Sequence, residues 1–300
     1  MNAGDIELRH LRYFVAVAEE LHFGRAAQRL HLAQPPLSQQ IRRLEDLLGH
    51  ALFLRTSRDV RLTAAGEELL ERARHTLSKI EADIAAAQRI GRGEAGALTV
   101  GFIGSGMLTA LPKMLGRYRK QYPEVDLQLR EFYTARLVDA LLEGTVDVGF
   151  LRDAGQVDGL RVEVMLAEPF VVVLPGRHPL AAQKTIAPKD LRNEPFVLFA
   201  RSYGGGAWSK TVAICEDAGF VPRVVQEAPQ WLTIMSLVGA GLGVTIAPAC
   251  VESLNVPDTV CRRLRSSTAR THLELAYRRG EVRPIARAFS ELARKTFGTS

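Results

Sequence analysis

Ser38, Gln39 and Arg42, with Pro35 ahead of them, lie at spacings that put them on one surface of a helix. Gln and Arg carry paired hydrogen-bonding atoms that match the edges of bases, and Ser suits bases or phosphates. Just downstream, Arg55-Thr56-Ser57-Arg58-Asp59 places two guanidiniums on a short loop, a group suited to phosphate oxygens. On an isolated helix the three polar residues would be ordinary solvated surface. What precedes and follows them decides against that.

A second set of candidate groups follows the ends of predicted strands, where ligands sit in open α/β sheets. Gly104-Ser105-Gly106 follows one strand and opens a helical turn, so its free N–H groups and the Ser105 hydroxyl suit a carboxylate. Tyr133-Thr134 and Arg152 follow two more strands, and a guanidinium there suits an acid. Arg201, Ser202 and Trp208 lie beyond a fourth, and Trp231 opens the helix after a fifth. Each has a structural alternative: Ser105 as a helix cap, Arg152 in an ion pair, the tryptophans as core.

Catalytic constellations are missing. The glycines at 101, 104 and 106 and at 239, 241 and 243 lack the Gly-x-Gly-x-x-Gly order and the acidic residue about 20 positions on that a dinucleotide site needs. No Gly-x-Ser-x-Gly or paired-cysteine motif occurs, and His10, His22, His31, His50, His75, His178 and His272 have no metal-ligand spacing. No catalytic residue, metal or cofactor is therefore expected, and an enzyme on an α/β scaffold stands as an alternative only.

The elements that must position these groups are legible from periodicity. Leu8, Leu11, Phe14, Val15, Ala18 and Leu21 trace one face of a helix. A short helix follows near Arg25 to Leu30. A third has Pro35-Pro36 in its first turn, Leu37, Ile41, Leu44 and Leu48 as its buried stripe, and Gly49 at its end. Leu52-Phe53-Leu54 and Val60-Arg61-Leu62 then flank the arginine loop as a hairpin. Two helices joined by a tight turn and followed by a basic hairpin make a winged helix-turn-helix, whose recognition helix presents its N-terminal end to the major groove.

Thr63 suits the cap of a long helix running to about Ile90. Leu69, Ala73, Leu77, Ile80, Ile84 and Ala87 form a seam on it, and a seam of that length calls for a second copy of the helix. Gly91 to Gly96 reads as a linker. From Ala97, short apolar strands alternate with helices, as in α/β folds. The expected division is a DNA-binding domain at 1–62, a linker and dimerisation helix at 63–92, and an α/β region at 93–300. Residues of that kind fit one domain or two small lobes.

Composition sets outer bounds. Three hundred residues, 47% of them hydrophobic, exclude a disordered tail or a disulfide-stapled miniprotein. No apolar run reaches the roughly 20 residues of a membrane helix, and the first residues lack the regions of an export signal. A cytoplasmic chain is expected, which argues against a transport binding protein, the second alternative. The net charge of +6 is unevenly placed. Residues 22–61 hold seven Arg and no Lys against three acids, a balance of +4, and residues 262–300 balance at +7, leaving the rest net acidic.

Phe23-Gly24-Arg25-Ala26-Ala27, Ala33-Gln34-Pro35-Pro36-Leu37-Ser38-Gln39-Gln40-Ile41, Leu44-Glu45, Leu48-Gly49, Leu52-Phe53, Arg55 and Leu62-Thr63-Ala64-Ala65-Gly66 closely resemble the N-terminal signature of LysR-type transcriptional regulators. Similar segments continue through Leu142-Glu143-Gly144-Thr145-Val146-Asp147, His178-Pro179-Leu180 and Gly241-Leu242-Gly243-Val244.

The resemblance implies an α/β multidomain chain in which 93–300 is a two-lobed effector domain like that of periplasmic binding proteins, with lobes roughly at 97–166 plus 269–300, and 167–268. Its partners would be double-stranded promoter DNA, a small effector, other copies in a homodimer or homotetramer, and RNA polymerase. On that signature the DNA-contacting set is Arg25, Gln34, Pro35, Pro36, Ser38, Gln39, Arg42, Arg55 and Arg58. Ser105, Thr134 and Arg152 resemble the ligand-contacting pattern of the subgroup controlling aromatic-compound breakdown, which implies an aromatic or unsaturated carboxylic acid. Arg201, Ser202, Trp208 and Trp231 complete the expected effector set. Gly24 stands where a hydroxyl residue is frequent, which implies a weaker cap on the second helix, and Ala33 replaces a frequent Ser.

Overall fold

The computed structural model describes residues 5–56, 59–203, 205–265, 267–280 and 282–298. Arg58, one of the expected DNA contacts, lies outside them. The chain forms two compact units, residues 1–88 and 89–300.

In the first unit α1 (Leu8–Glu20), α2 (Phe23–Arg29) and α3 (Gln34–Leu48) precede a hairpin of β1 (Phe53–Arg55) and β2 (Val60–Leu62). Phe53 pairs with Leu62 and Arg55 with Val60. Phe14, Phe23, Leu37, Ile41, Leu44, Leu52 and Phe53 close one core. The helix stripe and the hairpin thus bury against each other, which fixes the outward face of α3. Gly49 ends α3 at φ 73°, the left-handed region glycine enters without strain.

Thr63 performs the capping its type suggests. Its Oγ1 accepts from the Gly66 N–H at 3.0 Å and donates to the Ala51 carbonyl at 2.8 Å, opening α4 (Ala64–Gly91). A Cβ on Gly66 would stand 2.3 Å from the Leu52 carbonyl oxygen, so only glycine lets α4 approach the hairpin this closely. Leu69, Leu70 and Ala73 of α4 pack on the helical core. Beyond them the stripe has no place in that core, and Ile84 is 51% exposed.

The second unit begins with β3 (Ala95–Ile103), α5 (Leu111–Gln121), β4 (Glu124–Phe132), α6 (Thr134–Glu143) and β5 (Val148–Arg152), with β3 parallel to both β4 and β5. Next come β6 (Leu160–Pro175), β7 (Thr185–Ile186), β8 (Pro195–Phe199), α7 (Gly205–Asp217), β9 (Arg223–Ala228) and α8 (Trp231–Gly239). β10 (Thr245–Pro248), β11 (Thr259–Leu264), β12 (Arg270–Arg278) and α9 (Pro284–Phe297) complete it. The strand order is β4-β3-β5-β12-β6-β11-β7, with β10 also on β6 and β8 parallel to β9.

The sequence suggests a strand only at 170–174, yet β6 runs 16 residues. Its first part pairs with β12 and its last part with β10 and β11. One strand therefore serves both lobes, and the boundary expected at 166/167 falls inside it. β11 escaped the apolar pattern because Arg262 and Arg263 interrupt it; neighbouring strands hold it in place.

Candidate functional site

The outward face of α3 carries Gln34, Pro35, Pro36, Gln39 and Arg42, all exposed, with Ser38 half-buried. Leu37, Ile41 and Leu44 are fully buried on the opposite side. Gln34, Ser38, Gln39 and Arg42 have no side-chain partner among the described residues, so their hydrogen-bonding atoms face water. His10, buried on α1, meets Gln40 with Nε2 and Oε1 3.1 Å apart, fixing α3 from behind.

The cap on α2 differs from the expectation for Gly24. His22 Nδ1 accepts from the Gly24 and Arg25 N–H groups at 3.1 and 3.2 Å. A Cβ at 24 would stand 3.0 Å from the same ring. Glycine therefore makes room for an imidazole cap instead of weakening the helix start. The signal was a histidine at the cap position, outside the usual Ser, Thr, Asp and Asn set.

Arg25 is exposed, and its Nε donates to Glu20 at 3.2 Å. Arg55 is more engaged than a free phosphate contact would be. Its guanidinium pairs with Glu45 and sits 4.9 Å above the Phe23 ring. Glu45 in turn accepts the Leu52 and Phe53 N–H groups at 2.9 and 3.2 Å. Arg55 thus ties the hairpin to α3. Glu19 joins α1 to α2 and α4 through Arg29 and Arg74, and these two guanidiniums hold its carboxyl below the usual range.

In the second unit a cavity of about 250 Å³ opens at the strand ends. Ser105, Thr134, Arg152 and Trp231 of the expected set line it, with Tyr133, Phe199, Tyr203, Gln230 and Glu131. Two helices begin at its wall, α6 at Thr134 and α8 at Trp231, and neither start has a side-chain cap. Their first N–H groups remain available to an acceptor. Tyr133 and Tyr203 pack as a tilted pair with centroids 4.4 Å apart, and Phe199 and Trp231 as another at 5.3 Å, so the walls are aromatic.

Arg152 is not a free clamp. It is 4% exposed, and Nη2 lies 2.9 Å from Glu168 Oε2. Its Nε donates to Ser105 Oγ at 3.0 Å and its Nη1 to Thr271 Oγ1 at 3.2 Å. A buried guanidinium needs a counter-charge, and Glu168 on β6 supplies it across β12. With its oxygen accepting from Arg152, the Ser105 hydroxyl keeps its own proton to donate. Thr134 Oγ1 donates to the Arg152 carbonyl at 3.3 Å. Cys250 sits beside this group; burial pushes its thiol up to about 12, so it stays protonated and points at the Ser105 carbonyl, 3.8 Å away.

Arg201, Ser202 and Trp208 fall outside the cavity. Arg201 and Ser202 are exposed, and Arg201 lies 4.9 Å over the Trp208 ring. Trp208 packs against the second lobe's core. The reason is helical rotation: Ala207 faces the cavity, and about 100° further round α7 the next side chain turns into the lobe. Sequence reasoning missed Tyr203, Gln230 and Glu131 as wall residues, because they enter through loop and strand-end geometry.

Lys210 of α7 donates to Asp153, just after β5, at 2.6 Å, and to the Arg270 carbonyl at 2.7 Å. Asp153 also accepts from Thr271 Oγ1 at 2.6 Å and from the His272 N–H at 2.8 Å. This cluster joins α7 to the first lobe beside the cavity.

Comparison with known proteins gives a consistent picture. Residues 8–67 match the family described as bacterial regulatory helix-turn-helix protein, lysR family, and residues 91–298 match the LysR substrate binding domain. The chain is 41% identical over 288 residues to the HTH-type transcriptional regulator AlsR of Bacillus subtilis (strain 168), covering 96% of this chain and 95% of that protein. The crystal structure of CbnR, a LysR family transcriptional regulator, is similar with a TM-score of 0.84 at 30% identity, covering 96% of this chain and 100% of that one. Full-length CbnR complexed with its target DNA is similar with a TM-score of 0.81 at 29% identity, covering 97% and 100%.

Proposed function

The chain belongs to the LysR family of DNA-binding transcriptional regulators, which are not enzymes, and on that premise we propose that it reads promoter DNA with α3 under the control of a carboxylic acid bound in the second unit's cavity. The observation that carries the DNA reading is the α3 face: Gln34, Ser38, Gln39 and Arg42 together, with no side-chain partner among the described residues, opposite a fully buried stripe. Gln39 and Arg42 are assigned to base edges. Arg25 and Arg55 belong to the phosphate-facing rim, Arg55 chiefly by fixing the hairpin. The similarity to full-length CbnR complexed with its target DNA supports DNA as the partner.

The acid occupies the wall where α6 and α8 begin. Its carboxylate accepts backbone N–H groups and the Ser105 hydroxyl, and its unsaturated or aromatic body lies against Tyr133, Phe199 and Trp231. Arg152 acts by orienting Ser105. The exposed end of the α4 stripe, around Ile84, pairs with the same helix of a second copy, giving a dimer that spans two half-sites and assembles further into a tetramer. Effector binding then changes how the paired subunits sit on DNA.

Two measurements test the proposal. A gel shift on the DNA upstream of the gene should retain sequence preference as salt rises; binding that vanishes without preference would reduce the protein to a generic polycation binder. A thermal-shift panel of aromatic and unsaturated acids should stabilise the effector unit. No shift with any acid, alongside one with a sugar, would remove the carboxylate reading.

A further inference from the structure

Glu131, at the end of β4, stands in the cavity wall beside Gly104. Its carboxylate has no ion-pair or hydrogen-bond partner among the described residues. Glu131 is exposed, and its Oε1 lies 2.6 Å from where a Cβ on Gly104 would be, so a side chain at 104 would push the carboxylate aside. The other charge in the wall is cancelled, since Arg152 lies 2.9 Å from Glu168. The wall therefore carries one uncompensated negative charge. Taken as a sphere, a cavity of about 250 Å³ is roughly 8 Å across, about one screening length at physiological salt. An anion anywhere inside it meets the field of Glu131.

Resting on the carboxylic-acid reading above, we propose that Glu131 is a specificity-determining residue that selects acids bearing a hydrogen-bond donor. The effector is a hydroxy- or amino-substituted unsaturated acid. Its acid group lies at the starts of α6 and α8, and its hydroxyl or amino group donates to the Glu131 carboxylate. A donor turns the unpaired carboxylate into one end of a charge-assisted hydrogen bond. An acid without one meets only like-charge repulsion.

The test is calorimetric titration of the full-length protein and its Glu131→Ala and Gly104→Ala variants with benzoate, the three hydroxybenzoates, the three aminobenzoates and phenol. At least one substituted acid should bind the unaltered protein about tenfold or more tightly than benzoate, the scale of a hydrogen bond to a charged group. In Glu131→Ala that advantage should fall below about twofold while benzoate binds more tightly. Gly104→Ala keeps the charge but displaces the carboxylate, and should lose part of the advantage. Substituted acids no tighter than benzoate, or an advantage that survives Glu131→Ala, overturn the role of Glu131 and leave the acid reading standing. Phenol binding that disappears in Glu131→Ala, with no acid bound, upholds Glu131 and removes the acid. Binding by none of these compounds overturns both.

Discussion

The α3 face and the second unit's cavity use their polar groups in opposite ways. On α3, Gln34, Gln39 and Arg42 have no side-chain partner among the described residues, while in the cavity Ser105, Thr134 and Arg152 are bonded to one another or to the backbone. Burial accounts for the difference. Water satisfies an exposed side chain at no cost, so the α3 residues stay free for the bases proposed as their partners. A buried hydroxyl or guanidinium must be satisfied by the protein itself. Thr134 and Arg152 thus shape the wall, while the backbone N–H groups at two helix starts, the Ser105 hydroxyl proton and the exposed Glu131 carboxylate are what remains for the proposed ligand.

The largest effect that would break this contrast concerns Arg152. Glu168→Leu leaves a buried guanidinium without its counter-charge and should destabilise the effector unit by about 3–5 kcal/mol in urea denaturation. Arg152→Met together with Glu168→Leu should recover most of the loss. A single change that left stability untouched would mean that Arg152 is free for ligand after all.

On the other side of the contrast, Arg42→Ala or Gln39→Ala should leave stability unchanged and cost about 1–3 kcal/mol of discrimination between target and altered sites in competition gel shifts. Arg55→Ala should weaken all DNA alike and also lower the melting temperature of the first unit, because Glu45 and Phe23 lose their partner. Equal effects from all three would dissolve the distinction between reading and positioning residues.

A smaller effect tests whether the DNA-binding unit is pre-shaped. His22→Ala removes the α2 cap and should cost about 1 kcal/mol of stability in the first unit, whereas Gly24→Ser, which crowds the ring, should not improve on the original.

The smallest effect is with pH. Arg29 and Arg74 lower the folded-state pKa of Glu19, so its contribution is present above the usual carboxylate pKa and lost as pH falls through the lowered one. Acid melts of the unaltered protein and Glu19→Gln should converge at the acid end of the titration and differ at neutral pH.

Much of this was legible because it is local. The Leu37, Ile41, Leu44 stripe, Pro35-Pro36 at the helix start, Gly49 at its end and Thr63 as the next cap are contacts within a few residues of each other. His22 was local too, but imidazole is an uncommon cap. Glu168 was not legible because strand order brings it to Arg152, and Tyr203, Gln230 and Glu131 were not because each reaches the cavity through a strand end or loop path. Trp208 was misplaced by one helical step: a strand end predicts that a loop nears the ligand, not which side chain turns inward.

The sequence by itself determined the order of the elements, the face of α3 that looks outward and the basic stretch at residues 22–61, because helical period, capping and local charge are properties of neighbouring residues. Only the tertiary structure decided that Arg152 is already paired, that Glu131 stands in the same wall with no partner among the described residues, and that one strand serves both lobes. Those facts depend on which distant residues the sheet order brings together: burial forces Arg152 to be matched, while Glu131 is exposed and water satisfies it.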